Sequence, residues 1–160
     1  MSRDYIRIAF GVVVVLILGL FMVPLTRLVP LPFLKGLFFS PIYSMVLYLV
    51  LKSTNSKYTT LIFGFVLGVI LTMFMPYIFF IAMISAVLAS IFQSSAEGQA
   101  RVFGGSQFVW MLIILRGALD VVTYTLVLLI GTTISFSLAS YGVILAKRIE
   151  PRIKKGGIYQ

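Results

Sequence analysis

The chain has 160 residues, 61% hydrophobic and 11% charged, with a formal net charge of +9 and neither cysteine nor histidine. That composition excludes disulfides, thiol nucleophiles, histidine-ligated zinc or haem, and Ser-His-Asp catalysis. The apolar residues form long runs instead of an amphipathic pattern, which marks a membrane-embedded helical chain, and a basic balance in such a chain records topology rather than nucleic-acid binding.

Crossing the hydrocarbon layer takes roughly 20 apolar residues, so the chain holds at most about six spans in one compact all-α domain, residues 1–160. The first predicted helix covers about 5–26, and its apolar run from Ile8 to Thr26 is too long for the core of a cleaved signal, so it reads as a retained span. It ends in the connector Arg27–Lys35, where Pro30 and Pro32 do not fit a helix interior. A second helix, about 36–51, stops at the polar run Lys52 to Lys57. Pro76 divides a stretch too long for one span into helices at about 58–75 and 77–93. Ser94–Ser106 is polar and glycine-bearing, and reads as the longest internal loop. The apolar run that follows divides at the weak break Gly131-Thr132-Thr133 into helices at about 107–128 and 133–149, leaving a basic cytoplasmic tail at 150–160.

Lys and Arg concentrate in cytoplasmic loops. Six spans with both termini inside put Arg3, Arg7, Lys52, Lys57, Arg101, Lys147, Arg148, Arg152, Lys154 and Lys155 in the cytoplasm, against only Arg27 and Lys35 outside. The expectation is a multi-pass protein of the cell membrane.

Arg116 and Asp120 are the ionisable residues expected deep inside a span, where a charge costs at least about 2.5 kcal/mol. Four residues apart on the predicted fifth helix, they share a face, Arg116 near mid-bilayer and Asp120 further out, with Tyr124 one turn beyond. Two readings stand: an internal ion pair that locks packing, or a polar patch for a solute or ion. Small residues at four-residue spacing, Gly64 and Gly68, then Ala82, Ala86 and Ser90, predict close helix packing inside the bundle. Ala9 and Gly11 are candidates to face another protein. Tyrosines near span ends suit an interfacial belt, with Tyr43, Tyr77 and Tyr124 set apart in the outer halves. The chain lacks the phosphate loop GxxxxGK[ST], so any active process draws on a partner or a gradient. The acids Asp4, Glu97, Asp120 and Glu150 are too scattered for paired-carboxylate or metal chemistry, so no enzyme activity, metal or cofactor is expected.

Three features carry a resemblance. They are Ser40-Pro41-Ile42-Tyr43 opening the second helix, with Leu47 to Lys52 behind it; Gly64 to Gly68 leading into the Pro76 turn and an Ala/Ser-rich helix; and Gly142 to Arg148 followed by Lys154-Lys155-Gly156-Gly157-Ile158. Over roughly Gly36 to Ile158 the chain resembles the substrate-binding S components of energy-coupling factor transporters, within them the small Trep_Strep-type, MptE-like membrane proteins. The resemblance implies six helices, capture of a small-molecule solute on the extracytoplasmic side, and a complex with a transmembrane coupling (T) subunit and two ATPases. In such proteins a small-xxx-small motif in the first helix meets the coupling subunit; the nearest match here is Ala9, with Val13 in the second place. The connector Arg27–Lys35 corresponds to the loop that lids the solute site. Asp120, Arg116, Tyr124, Tyr43 and Lys35 are the expected substrate-binding residues. A small structural or ion-translocating subunit of a membrane bioenergetic complex is the alternative.

Overall fold

The computed structural model describes residues 2–28, 34–73, 76–114 and 119–155. Among them are six helices: α1 (Ser2–Arg27), α2 (Lys35–Ser53), α3 (Thr59–Thr72), α4 (Ile78–Phe92), α5 (Ala96–Ile114) and α6 (Val121–Lys155). The fold is all-α. Three helices are long and apolar enough to cross a membrane, over Arg3–Pro24, Lys35–Ser53 and Val121–Ile153. The 14-residue α3 and 15-residue α4 are apolar but reach only about 21–23 Å at 1.5 Å per residue.

α2 is the hub: α6 and α5 pack on one side of it and α1 on another, while α3 pairs with α4, which leans on α5. Successive helices run antiparallel. The starts of α1, α3 and α5 therefore gather with the ends of α2, α4 and α6 at one end of the bundle. That end carries all the basic residues assigned above to the cytoplasm and is called the basic end below; Arg27 and Lys35 sit at the opposite end.

Polar groups inside the bundle are used to join helices. Ser40 Oγ donates to the Ser135 carbonyl (2.8 Å), and Ser135 Oγ donates to the Gly105 carbonyl (2.9 Å), a buried relay through α2, α6 and α5. It needs close backbones, and the glycines allow them. A Cβ on Gly104 would lie 2.6 Å from the Ser40 carbonyl oxygen, and one on Gly142 would run into the Pro41 carbonyl. Pro41 removes one amide from the ladder of α2, and Ser44 Oγ, one turn on, donates to the carbonyls of Ser40 (2.9 Å) and Pro41 (3.2 Å). Between α3 and α4, a Cβ on Gly64 would stand 2.6 Å from the Ala86 Cβ, so the small-residue spacing does serve bundle packing. Gly11 does the same for α1 against Val50, which corrects the expectation that it faces outward.

Two boundaries differ from the sequence reading. Ser94–Ser106 is not a loop: α5 begins at Ala96, because its polar side chains find partners at the basic end and Gly104 and Gly105 are packing positions against α2 and Phe136. Nor does Gly131-Thr132-Thr133 break a helix. Gly131 lies against the Phe108 ring, and Thr133 Oγ1 donates to the Leu129 carbonyl (2.9 Å) within a continuous 35-residue α6. The tail is likewise helical as far as Lys155.

Overpacking a well-filled interior costs about 1–3 kcal/mol. Gly104→Val is expected to lower thermal stability in detergent by that order, since a backbone carbonyl blocks the new methyls. Gly19→Ala, whose Cβ meets only a Phe39 ring carbon at 3.4 Å, should be neutral or slightly stabilising in the same melt.

Candidate functional site

The two ends of the bundle differ in chemistry. At the basic end, hydrogen bonds and ion pairs tie all six helices. Arg7 of α1 donates to the Ser53 carbonyl at the end of α2. Thr60 of α3 bonds Gln99 of α5, whose amide nitrogen donates to the carbonyl of Gln93, the residue that ends α4 (2.9 Å). Glu97 of α5 pairs with Arg101 one turn on (3.3 Å) and with Lys147 of α6. Tyr48 of α2 donates to Glu150 of α6 (3.3 Å), and Lys52 sits 5.8 Å from the centre of the Tyr48 ring, a cation–π distance. The hydrogen bond from Lys147, reinforced by the charges of Lys147, Arg101 and Lys52, holds Glu97 below its ordinary pKa.

At the opposite end, Phe108 and Leu112 of α5 are fully buried, with Leu34 just before α2, Leu37 of α2, and Leu119, Tyr124, Val127 and Leu128 packed around them. Asp120 lies just before α6, exposed, and serves as its N-cap: one carboxylate oxygen accepts from the amides of Val122 (3.1 Å) and Thr123 (3.0 Å). Hydrogen bonds from the Thr123 hydroxyl and amide, and from the Val122 amide, hold the Asp120 carboxyl below its ordinary pKa. Tyr124 follows in the first turn of α6, its amide donating to the Asp120 carbonyl (2.8 Å). Lys35 opens α2, next to Leu34.

The expected site is thus partly rearranged. Asp120 lies just before α6, whose start it caps, and Tyr124 follows within that helix, one turn toward the basic end. Arg116 lies outside the described residues, as does most of the expected lid, 29–33. Tyr124 packs in one cluster with the neighbours of Lys35, but Tyr43 does not. Eight residues along α2 from Lys35, about 12 Å, Tyr43 belongs to the main core, stacked on Phe39 (5.8 Å) and edge-on to Phe103 (6.3 Å).

Ala9 and Val13, the expected docking pair, are both exposed on α1, in line with Tyr5 and Ile17, while Ile8, Val12 and Val15 form the buried stripe. The residues that sequence reasoning missed are those of the basic-end network. Apart from Glu97 with Arg101 and Gln99 with Gln93, four and six positions apart, the partners of Glu97, Gln99, Lys147 and Glu150 described here lie 39 or more positions away, which hides the network from the sequence. The [ST]-x-x-[DE]-like signal that would mark a helix start is absent ahead of Val121, but Asp directly before an apolar run is itself a capping signal, and it was there to be read.

No family model, curated protein or solved structure matches this chain.

Two outcomes follow. Asp120→Ala should lower the melting temperature by a few degrees while Asp120→Asn, an equally good cap, should not. Because Glu97 titrates lower when folded, its stabilisation is complete above the ordinary value of 4.5 and is lost as pH falls through the folded value. The melting-temperature gap between wild type and Glu97→Gln should therefore be widest near neutrality and close under acid.

Proposed function

We propose that this chain is the solute-capturing membrane subunit, the S component, of an uptake transporter of the energy-coupling factor type. Its helices cross the cell membrane as six spans with both termini in the cytoplasm. As the resemblance implies, it works with a transmembrane coupling subunit and two ATPases, which agrees with the lack of a GxxxxGK[ST] loop in this sequence. The observation that supports this reading is the contrast between the two ends: at one, hydrogen bonds and ion pairs tie every helix, and the other presents Lys35, Asp120 and Tyr124 where α2, α5 and α6 converge.

A cytoplasmic end tied by side-chain bonds and a chemically varied outer end suit a protein that receives solute from outside. The ten-to-two distribution of basic residues set out above agrees with that orientation. In this reading Lys35 and Asp120 offer charges of opposite sign to a small polar solute, Tyr124 an aromatic wall, and Arg116 and Tyr43 further contacts. The outward line of Ala9 and Val13 on α1 meets the coupling subunit. Val13 in place of a second small residue makes that approach looser than a small-xxx-small seam.

Purification from native membranes in mild detergent, followed by mass spectrometry, should recover a second polytopic protein and two ATP-binding proteins. Recovery of respiratory or antiporter subunits instead would overturn the assignment. Asp120→Asn keeps the helix cap and removes the charge, so it separates the two roles of this residue. It should reduce solute uptake several-fold with unchanged melting; normal uptake would remove Asp120 from the site.

A further inference from the structure

A groove of about 380 Å³ runs between α1 and α2 at the basic end. Ile6, Phe10, Gly11 and Val14 form one wall and Met45, Val46, Leu49 and Val50 the other. Its mouth holds Arg7, Ser53 and Ile153, and it then extends along α1 for about 12 Å, from Ile6 to Val14, without a further charge. The groove is open to the side: Ile6 and Phe10 are 68% and 64% exposed. It lies on a helix long and apolar enough to cross the bilayer, so what enters it sideways comes from the membrane.

The charge at the mouth selects among membrane components. Arg3, exposed, stands one turn before Arg7, and Arg152, exposed, adjoins Ile153. Arg7 also donates to the Ser53 carbonyl, so its role toward a ligand is that of a fixed charge held at the mouth. One cationic polar end and a long apolar body are the complement of one molecule class.

We propose that this groove binds one anionic phospholipid, with an acyl chain lying between α1 and α2 and the headgroup phosphate at Arg7. The chain's own polar-to-apolar sequence along the groove sets the lipid's depth, and the basic mouth sets the headgroup preference. Such a lipid fills the cleft between α1 and the hub helix α2 and braces α1 against it.

The full-length protein in vesicles tests this with tryptophan as the reporter. Trp110 is the single tryptophan, and among the described residues its buried indole N–H has no hydrogen-bond partner, so Trp110→Phe removes no bond seen there and clears the background. Phe10→Trp then places a reporter in the groove, and Leu20→Trp places one on the exposed part of α1 beyond it. Brominated phosphatidylglycerol should quench the Phe10→Trp protein half-maximally at about a fivefold lower mole fraction than brominated phosphatidylcholine, the weight of one basic residue near an anionic headgroup. The Leu20→Trp protein should show no preference, and adding Arg7→Gln should bring the Phe10 preference close to one. Equal quenching by both lipids at Phe10, the same preference at Leu20, or protection of Phe10 from both lipids by a second protein would each overturn the proposal.

Discussion

The close approach of α2, α5 and α6 is the constraint on which the rest of this molecule depends. Ser40, Ser135 and the Gly105 carbonyl form a buried relay of hydrogen bonds at 2.8 and 2.9 Å, and it is possible only because Gly104 and Gly142 leave room for neighbouring backbone. In a bilayer, apolar side chains gain little from meeting one another, since lipid is as apolar as leucine, so tight backbone contact and interhelical hydrogen bonds carry more of the specificity. Both ends of the bundle inherit their shape from this seam.

At the basic end the seam brings Tyr48 beside Glu150 and Lys147 beside Glu97, so charges scattered along the chain become one network across six helices. Most of these side chains are at least partly exposed, so each pair contributes modestly, and the network's effect is to fix the relative register of the helices. At the other end the same seam leaves a cluster around Phe108 and Leu112, with Asp120, Tyr124 and Lys35 at its edge. The proposed capture of solute and the proposed lipid therefore occupy opposite ends of one scaffold. A lipid held between α1 and α2 would act on the helix whose outward face carries Ala9 and Val13, and so on the surface proposed to meet a coupling subunit.

The helical class, the break near Pro76 and the small-residue contact of α3 with α4 were legible in the sequence, because proline and four-residue spacing act locally. Asp120 shows where that legibility ends. In a long apolar run a lone acid reads as a buried charge, yet the same residue becomes an exposed cap once the helix starts after it, and Val122 and Thr123 offer their amides. Ser94–Ser106 fails in the opposite sense: its polar residues resemble a loop until Thr60 and Lys147, from other helices, supply their partners.

The sequence by itself determined that the chain is helical, membrane-directed by composition and basic at one end, because hydropathy and charge are sums over residues that need no knowledge of neighbours. Only the tertiary structure decided which glycines break helices and which join them, and which charges are solvated, capping or paired. Those properties depend on atoms brought within a few ångströms from distant parts of the chain. Gly131, read as a break and found against Phe108, is a case in point: a glycine's local freedom is the same in both roles, and the ring packed against it makes the difference.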